Sequence, residues 1–277
     1  MKKILYRLLY KVNLLKKINF KSNIKLNQKN ITIPINGGVG FDNLDISEIW
    51  MVDILKSLDI ERGIFIDIGV NIGQTLIKVK SIYDEVEYIG FEPNSLCVSY
   101  VNRLIEINKW RDITIVPVGI MQKCSILSLE YYSDSNTDSS ASLVPNYRKN
   151  SKIYKRETIA TFSVDRVNHL WEDKNISVIK IDVEGAEMDV IFSLKDIIKR
   201  DRPTLLVEIL PIYEEKNIKR LDNQTKIESI LNELDYIIYR VYKKENNSFD
   251  SFKEIKSIGI HSNLTWCDYI FSPTKIS

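Results

Sequence analysis

From Gly63 onward short apolar runs alternate with longer segments in which apolar residues recur every three or four positions. Ile64-Phe65-Ile66-Asp67-Ile68 is apolar on both faces except at Asp67, as expected of a strand buried between two helical layers. Gly69-Val70-Asn71-Ile72-Gly73 follows as a turn, and Leu76, Ile77 and Val79 mark a helix from about Gln74 to Tyr83. A second strand over 86–91 ends in Glu92-Pro93, and further strands are expected at 113–118, 178–181, 204–209, 236–242 and 265–271. Residues 125–132 alternate at Leu127, Leu129 and Tyr131 and, with 159–163, predict an inserted hairpin. Strand, glycine turn, helix and strand in repetition predict a doubly wound α/β fold with its ligand at the carboxyl ends of the strands.

The first 45 residues follow a different pattern. Ile4, Leu8, Val12 and Leu15 recur at helical spacing with lysines largely opposite, so a basic amphipathic helix is expected there. Arg7, Lys11, Lys16 and Lys17 interrupt every apolar run, which excludes a signal core or a membrane span in this stretch. The division expected is therefore a basic arm, 1–45, and a catalytic domain, 46–277, entered through a short helix over Ser47 to Leu55. The arm suits either an anionic membrane surface or docking on the domain or a second subunit, and both remain open at this point.

Charge sharpens that division. Of 39 Lys+Arg and 37 Asp+Glu, residues 1–41 hold eight Lys, one Arg and no acid, a local charge of +9. The remaining residues carry 30 basic against 37 acidic side chains, or −7, which makes nucleic acid an unsuitable main partner. Hydrophobic content of 44% and mean hydropathy of −0.15 fit a globular chain. Cys97, Cys124 and Cys267 are scattered and odd in number, so neither a disulfide framework nor a zinc knuckle is indicated, and a reducing, cytoplasmic setting is the simpler expectation. His169 and His261 are the only histidines and offer no metal cluster.

Glu92 lies 19 residues beyond Gly73, the distance at which an acid ending the second strand reaches the two ribose hydroxyls of an adenine nucleoside. The turn departs from the dinucleotide fingerprint, because Asn71 takes the place of its middle glycine, and Asp67 would set an anion where a pyrophosphate must lie. A cationic, phosphate-free nucleoside suits the turn better. Asp67, Gly69, Asn71, Gly73 and Glu92 are the candidate cofactor residues, and S-adenosyl-L-methionine the candidate cofactor.

The chain resembles the FkbM family of S-adenosylmethionine-dependent methyltransferases. The resemblance rests on Phe65-Ile66-Asp67-Ile68-Gly69-Val70-Asn71-Ile72-Gly73, on Gly90-Phe91-Glu92-Pro93-Asn94 and above all on Ile179-Lys180-Ile181-Asp182-Val183-Glu184-Gly185-Ala186-Glu187. Val70 stands where alanine is usual in the family, and residues 1–45 fall outside the likeness. The resemblance implies a Rossmann-like sheet of seven strands, the last antiparallel, with helices on both faces, and methyl transfer to an acceptor.

For a hydroxyl acceptor a carboxylate must take a proton at the end of the fourth core strand, where Asp182 and Glu184 fall; Glu208, ending the fifth, is a further candidate catalytic residue. Helix capping is the alternative use of Asp182 and Glu184, and Glu187 is assigned to helix support. Lys180, inside an apolar strand, requires a carboxylate partner or a snorkelled position. A hard cation such as magnesium on the carboxylates is a minor alternative to a metal-free site. The polar stretch 133–152, with Ser139, Ser140, Tyr147 and Arg148, is expected to be a substrate loop or a solvated turn. The family's habits, with 28 Lys to 11 Arg suggesting an AT-rich bacterial genome, point to a hydroxyl of a surface sugar or glycan precursor. Competing readings are a nicotinamide-dependent oxidoreductase on the same sheet and a non-catalytic adaptor working through its arm.

Overall fold

The computed structural model describes residues 18–58, 60, 63–213 and 217–276. The helix expected over the first residues lies outside them. The described chain opens with a hairpin of β1 (Asn19–Leu26) and β2 (Lys29–Asn36), turned by Asn27 and Gln28, both at positive φ as a tight hairpin turn requires. The period-two run Ile31, Ile33, Ile35 points into the core at no more than 2% exposure, each isoleucine stabilising by about 1.5–3 kcal/mol. Residues 18–45 are thus two strands, turns and a single short 3-10 helix (Phe41–Leu44), sharing a hydrophobic cluster with the domain that follows.

The expected short helix, α1 (Trp50–Ser57), buries Trp50, Met51, Val52, Ile54 and Leu55. The next units are β3 (Ile64–Ile68), α2 (Gln74–Ile82), β4 (Tyr88–Phe91), α3 (Ser95–Asn108) and β5 (Ile113–Val116). Strands β6 (Gly119–Ile120), β7 (Ser125–Tyr131) and β8 (Lys155–Phe162) form a small separate sheet, with β7 and β8 as the expected insertion. The chain returns as β9 (Ile176–Ile181), α4 (Glu187–Ser193), α5 (Lys195–Asp201), β10 (Thr204–Glu208), α6 (Ile218–Glu233), β11 (Ile237–Lys243), β12 (Phe249–Ile255) and β13 (Asp268–Ser272).

The main sheet has the order β12-β11-β13-β10-β9-β3-β4-β5, parallel from β10 to β5, with β13 antiparallel to both β10 and β11. The expected last antiparallel strand is present, and β12 adds an eighth at the edge. Its sequence FDSFKEI, exposed at Asp250, Lys253 and Glu254, lacks the apolar run that announces a buried strand. On β3 successive side chains face opposite layers: Ile64, Ile66 and Ile68 join the cluster under α4, α5 and α6, whereas Phe65 joins the one under β2, α1, α2 and α3. The order reverses between β3 and β9, so the crevice at their carboxyl ends is where a ligand is expected. Among the described residues no helix is long and apolar enough to cross a membrane.

Candidate active site

Backbone shape builds the first part of the crevice. Gly69 ends β3 at φ 95°, and a Cβ there would overlap the carbonyl oxygen of Asp182, so only hydrogen lets the turn meet the end of β9. The Gly69 N–H donates to the Phe91 carbonyl at 2.9 Å, binding the turn to β4. Asn71, at φ 47°, turns its N–H onto Glu92 Oε2 at 2.7 Å, and the Asn94 N–H donates to Oε1 at 2.8 Å. Glu92 is thereby fixed at 6% exposure; burial lifts its pKa to about 7 against the pull of those two donors.

Around this turn lies a slot of about 720 Å³, walled by Phe91, Ile120, Leu129, Leu143 and Ala186 and by the carboxylates Glu92, Asp138, Asp182 and Glu184. No Lys or Arg lines it among the described residues. A second cleft shares Gly69, Asn71, Ser139, Asp182 and Glu184 with the slot and adds Glu48, Lys180 and Glu208, so the two form one trough.

Side chains build the second part. Burial works to raise the Asp182 pKa, but the Lys180 ammonium at 3.1 Å and a hydrogen bond with Glu208 hold it below the usual carboxylate range. Glu208 moves the other way: burial and then the Asp182 charge push it well above, so the pair shares a proton that sits on Glu208. Lys180 is 7% exposed and remains charged because Asp182 and Asp67, the latter at 3.8 Å, face it. The expected carboxylate partner of this strand lysine is therefore present twice.

The polar stretch 133–152 forms a wall of the trough. Asp138 accepts from the Tyr132 and Ser133 N–H groups and from the N–H and hydroxyl of Ser140, which fixes the turn. Ser142 donates to the Glu184 carbonyl at 2.6 Å, and Arg148 pairs with the Glu184 carboxylate at 2.9 Å. Gly185, at φ 104°, leaves room for the Tyr147 ring where a Cβ would collide with it. Burial, then the nearby Asp182 charge, lifts Glu184 to about 8 despite Arg148.

Gly69, Asn71, Glu92, Asp182, Glu184 and Glu208 thus line the trough together, as the strand-end argument requires. Asp67 and Gly73 do not. Asp67 shares the Phe65 face, fully buried beneath the Tyr88 hydroxyl that donates to it, and the same burial lifts its pKa to about 6. Its Oδ1 has no hydrogen-bond partner, and it reaches the trough only through Lys180. Gly73 caps α2 and packs on Val101 and Leu104 of α3. Glu187 accepts the Gly185 N–H at the start of α4, the support role expected. His169 is exposed in a short turn, and His261 meets the Tyr269 hydroxyl at 3.2 Å, neither of them lining the trough. Unforeseen members are Glu48, whose ion pair with the fully buried Lys78 places it at the rim, and Asp138, whose Asp-x-Ser turn signal was there to read.

The donor set tests the cofactor. An apolar slot with four carboxylates and no cation repels a pyrophosphate and accepts a sulfonium nucleoside, with Glu92 placed for ribose hydroxyls. S-adenosylmethionine fits, and a nicotinamide dinucleotide does not. Among the described residues no group of three or more His, Cys, Asp or Glu side chains is arranged to hold a metal.

Comparison with known proteins bears on the family. Residues 67–238 match the FkbM methyltransferase domain. A protein called Methyltransferase 1 from Beauveria bassiana (strain ARSEF 2860) is 25% identical over 150 residues, which are 49% of this chain and 60% of that protein. The crystal structure of an FkbM methyltransferase from Methylobacillus flagellatus KT is 16% identical, with a TM-score of 0.47 over 76% of this chain and 44% of that one. Aeropyrum pernix fibrillarin, solved with S-adenosyl-L-methionine, is 10% identical, with a TM-score of 0.48 over 91% of this chain and 82% of that one. The matches span 60% and 44% of the length of the first two, less than two thirds of each. With the domain match covering more than half of its residues, the chain belongs to the FkbM methyltransferase family.

Proposed function

We propose that the protein is an S-adenosylmethionine-dependent O-methyltransferase whose acceptor is a carbohydrate hydroxyl, of the kind found on a bacterial surface sugar or glycan precursor. The observation that carries the reading is the Asp182–Glu208 carboxyl pair at the ends of β9 and β10, with the Lys180 ammonium 3.1 Å from Asp182, where the cofactor slot meets the rest of the trough. The cofactor, when bound, supplies a methyl group already activated on a sulfonium.

This chain's residues then have an alignment task and a proton task. The slot walls and Glu92 hold the nucleoside, and the Gly69 turn sets its depth. Asp182 accepts the hydrogen bond of the acceptor hydroxyl and so aims an oxygen lone pair. As the carbon–oxygen bond forms, that hydroxyl becomes far more acidic than a carboxylic acid, so a carboxylate kept ionised by Lys180 is basic enough to take the proton. Glu208 donates to Asp182 and fixes its orientation. Glu184 is committed to Arg148 and Ser142 and holds the loop wall in place.

The acceptor class draws support from the next stretch of the trough, where Tyr147, Tyr213, Asn217 and Asn223 combine aromatic faces with amides, a mixture suited to sugar rings and their hydroxyls. The test is transfer of radiolabelled methyl from S-adenosylmethionine to a panel of nucleotide sugars and surface-glycan extracts. Label in carbohydrate that survives mild base, which would release a methyl ester, and is lost on cleavage of methyl ethers by a strong Lewis acid is the expected outcome; label in protein or lipid instead overturns the acceptor assignment.

A further inference from the structure

Past the carboxylate pair the trough opens into an outer groove that Glu184 and Glu208 share with the inner clefts. We propose that this groove is an anion subsite and that the acceptor is an acidic sugar, whose carboxylate or phosphate is held by Arg220 and Lys219 while its hydroxyl is delivered to Asp182. The proposal names the substrate class of the reading above and rests on it.

The charge of the trough changes sign along its length. Four carboxylates and no cation line the inner slot, whereas Arg148, Lys149, Lys219 and Arg220 line the outer groove against only Glu184 and Glu208. One of those two, Glu208, is held in its neutral form. A neutral sugar would use the tyrosines and asparagines of this groove and have no need of four cations.

Arg220 is placed for recognition. Its guanidinium lies 4.1 Å over the Tyr147 ring, and its Nη2 donates to the Tyr147 carbonyl at 3.0 Å. Tyr147 is in turn seated against Gly185, on the same turn as the candidate catalytic residues. A planar fork fixed by stacking and one hydrogen bond is pre-set to take two anionic oxygens with little further loss of freedom. Arg148, in the same groove, donates through Nη2 to Glu184 at 2.9 Å, so the anion is left to Arg220 and Lys219.

Binding of simple sugars tests this and does not require the natural acceptor. The full chain, saturated with S-adenosylhomocysteine, is titrated calorimetrically with glucuronate, glucose 1-phosphate and methyl glucoside. At least one of the acidic sugars should bind tighter than methyl glucoside by about tenfold to a hundredfold, the worth of a charge-assisted hydrogen bond, and which one does separates carboxylate from phosphate. Arg220→Gln should abolish that preference, Arg220→Lys should retain part of it, and Lys219→Gln, at an exposed position, should reduce it without touching the fold. S-adenosylhomocysteine affinity, read on each variant, reports whether the inner slot is intact. Equal binding of all three sugars, binding of none, or a preference that survives Arg220→Gln and Lys219→Gln overturns the proposal. A preference for acidic sugars without S-adenosylhomocysteine binding sinks the methyltransferase reading and leaves the anion subsite standing.

Discussion

The two halves of the trough are held open by different means. On the side of β3 and β4 the site is backbone: Gly69 pressed against a carbonyl, Asn71 in a left-handed conformation, and a carboxylate fixed by two main-chain N–H groups. On the side of β9 and β10 it is side-chain charge: Lys180 between Asp67 and Asp182, and a proton shared by Asp182 and Glu208. A backbone cradle tolerates no added atom, and protonation touches it at one member alone, Glu92. A charge network tolerates isosteric change and is governed by which member holds the proton. Binding should therefore fail through sterics on one side, and chemistry through electrostatics on the other.

The sharpest way to break this comparison is at the hinge where the halves touch. Gly69→Ala places a Cβ into the Asp182 carbonyl at a φ that L residues rarely adopt. Strain of about 3 kcal/mol or more is expected there, a melting-temperature fall of roughly 6–12 °C for a domain of this size, with S-adenosylhomocysteine binding abolished. Gly73→Ala has a similar φ but meets only the yielding ends of Val101 and Leu104, so it should cost a fraction of that and leave binding measurable. Equal damage from the two substitutions, by calorimetry and thermal melting, would show that φ alone and not the closeness of β9 makes Gly69 necessary.

The second test separates the halves. Asp182→Asn keeps the shape but removes the proton acceptor, and methyl transfer should fall by about 10²–10⁴ while S-adenosylhomocysteine affinity changes far less. The fold should survive, because Lys180 keeps Asp67 as a partner. Glu208→Gln should be much milder, since an amide still donates to Asp182 as the protonated acid does, whereas Glu208→Leu should approach the Asp182→Asn loss. If Glu208→Gln proves as damaging as Asp182→Asn in single-turnover rates, the shared proton does not rest on Glu208.

The same contrast accounts for what could be read in the sequence. The cradle is local: strand, glycine turn, helix and the acid at Glu92 lie within thirty residues, and their order implies their geometry. Asp182, Glu184 and Glu208 were legible because strand ends in a parallel sheet converge. Asp67 ends a strand too, but strand parity puts it on the Phe65 face under Tyr88, and its partner register with Lys180 is a long-range fact no local pattern carries. The hairpin of β1 and β2 was hidden because its lysines suggested a charged arm, although the isoleucines at 31, 33 and 35 already had the period of a strand. The stacking of Arg220 on Tyr147 joins residues 73 apart in the chain, and the apolar residues of the edge strand β12, Phe249, Phe252 and Ile255, fall three apart and not two.

The smallest expected effect is a pH dependence that only the cradle side should show in binding, and it turns on Glu92. Burial raises this carboxyl from its ordinary 4.5 to about 7 in the ligand-free protein. The folded state then binds a proton that the unfolded chain has released. Its contribution to stability is fully present below about pH 4.5 and is lost as pH rises through 7. Ribose hydroxyls donating to Glu92 favour the ionised form, so ligand binding works in the opposite direction: the proton must leave, and affinity should rise with pH until the free carboxyl is ionised. Titration with S-adenosylhomocysteine should show binding about tenfold tighter at pH 8 than at pH 6, with a proton released to buffer at the lower pH. Over the same range the unliganded protein should melt lower while the ligand-induced rise in melting temperature grows. Glu92→Gln should bind weakly at both values and lose the slope. A slope that persists in Glu92→Gln would move the titrating group to the charge side of the trough, where Glu184 sits raised to about 8, and the division between a backbone half and a charge half would no longer hold for binding.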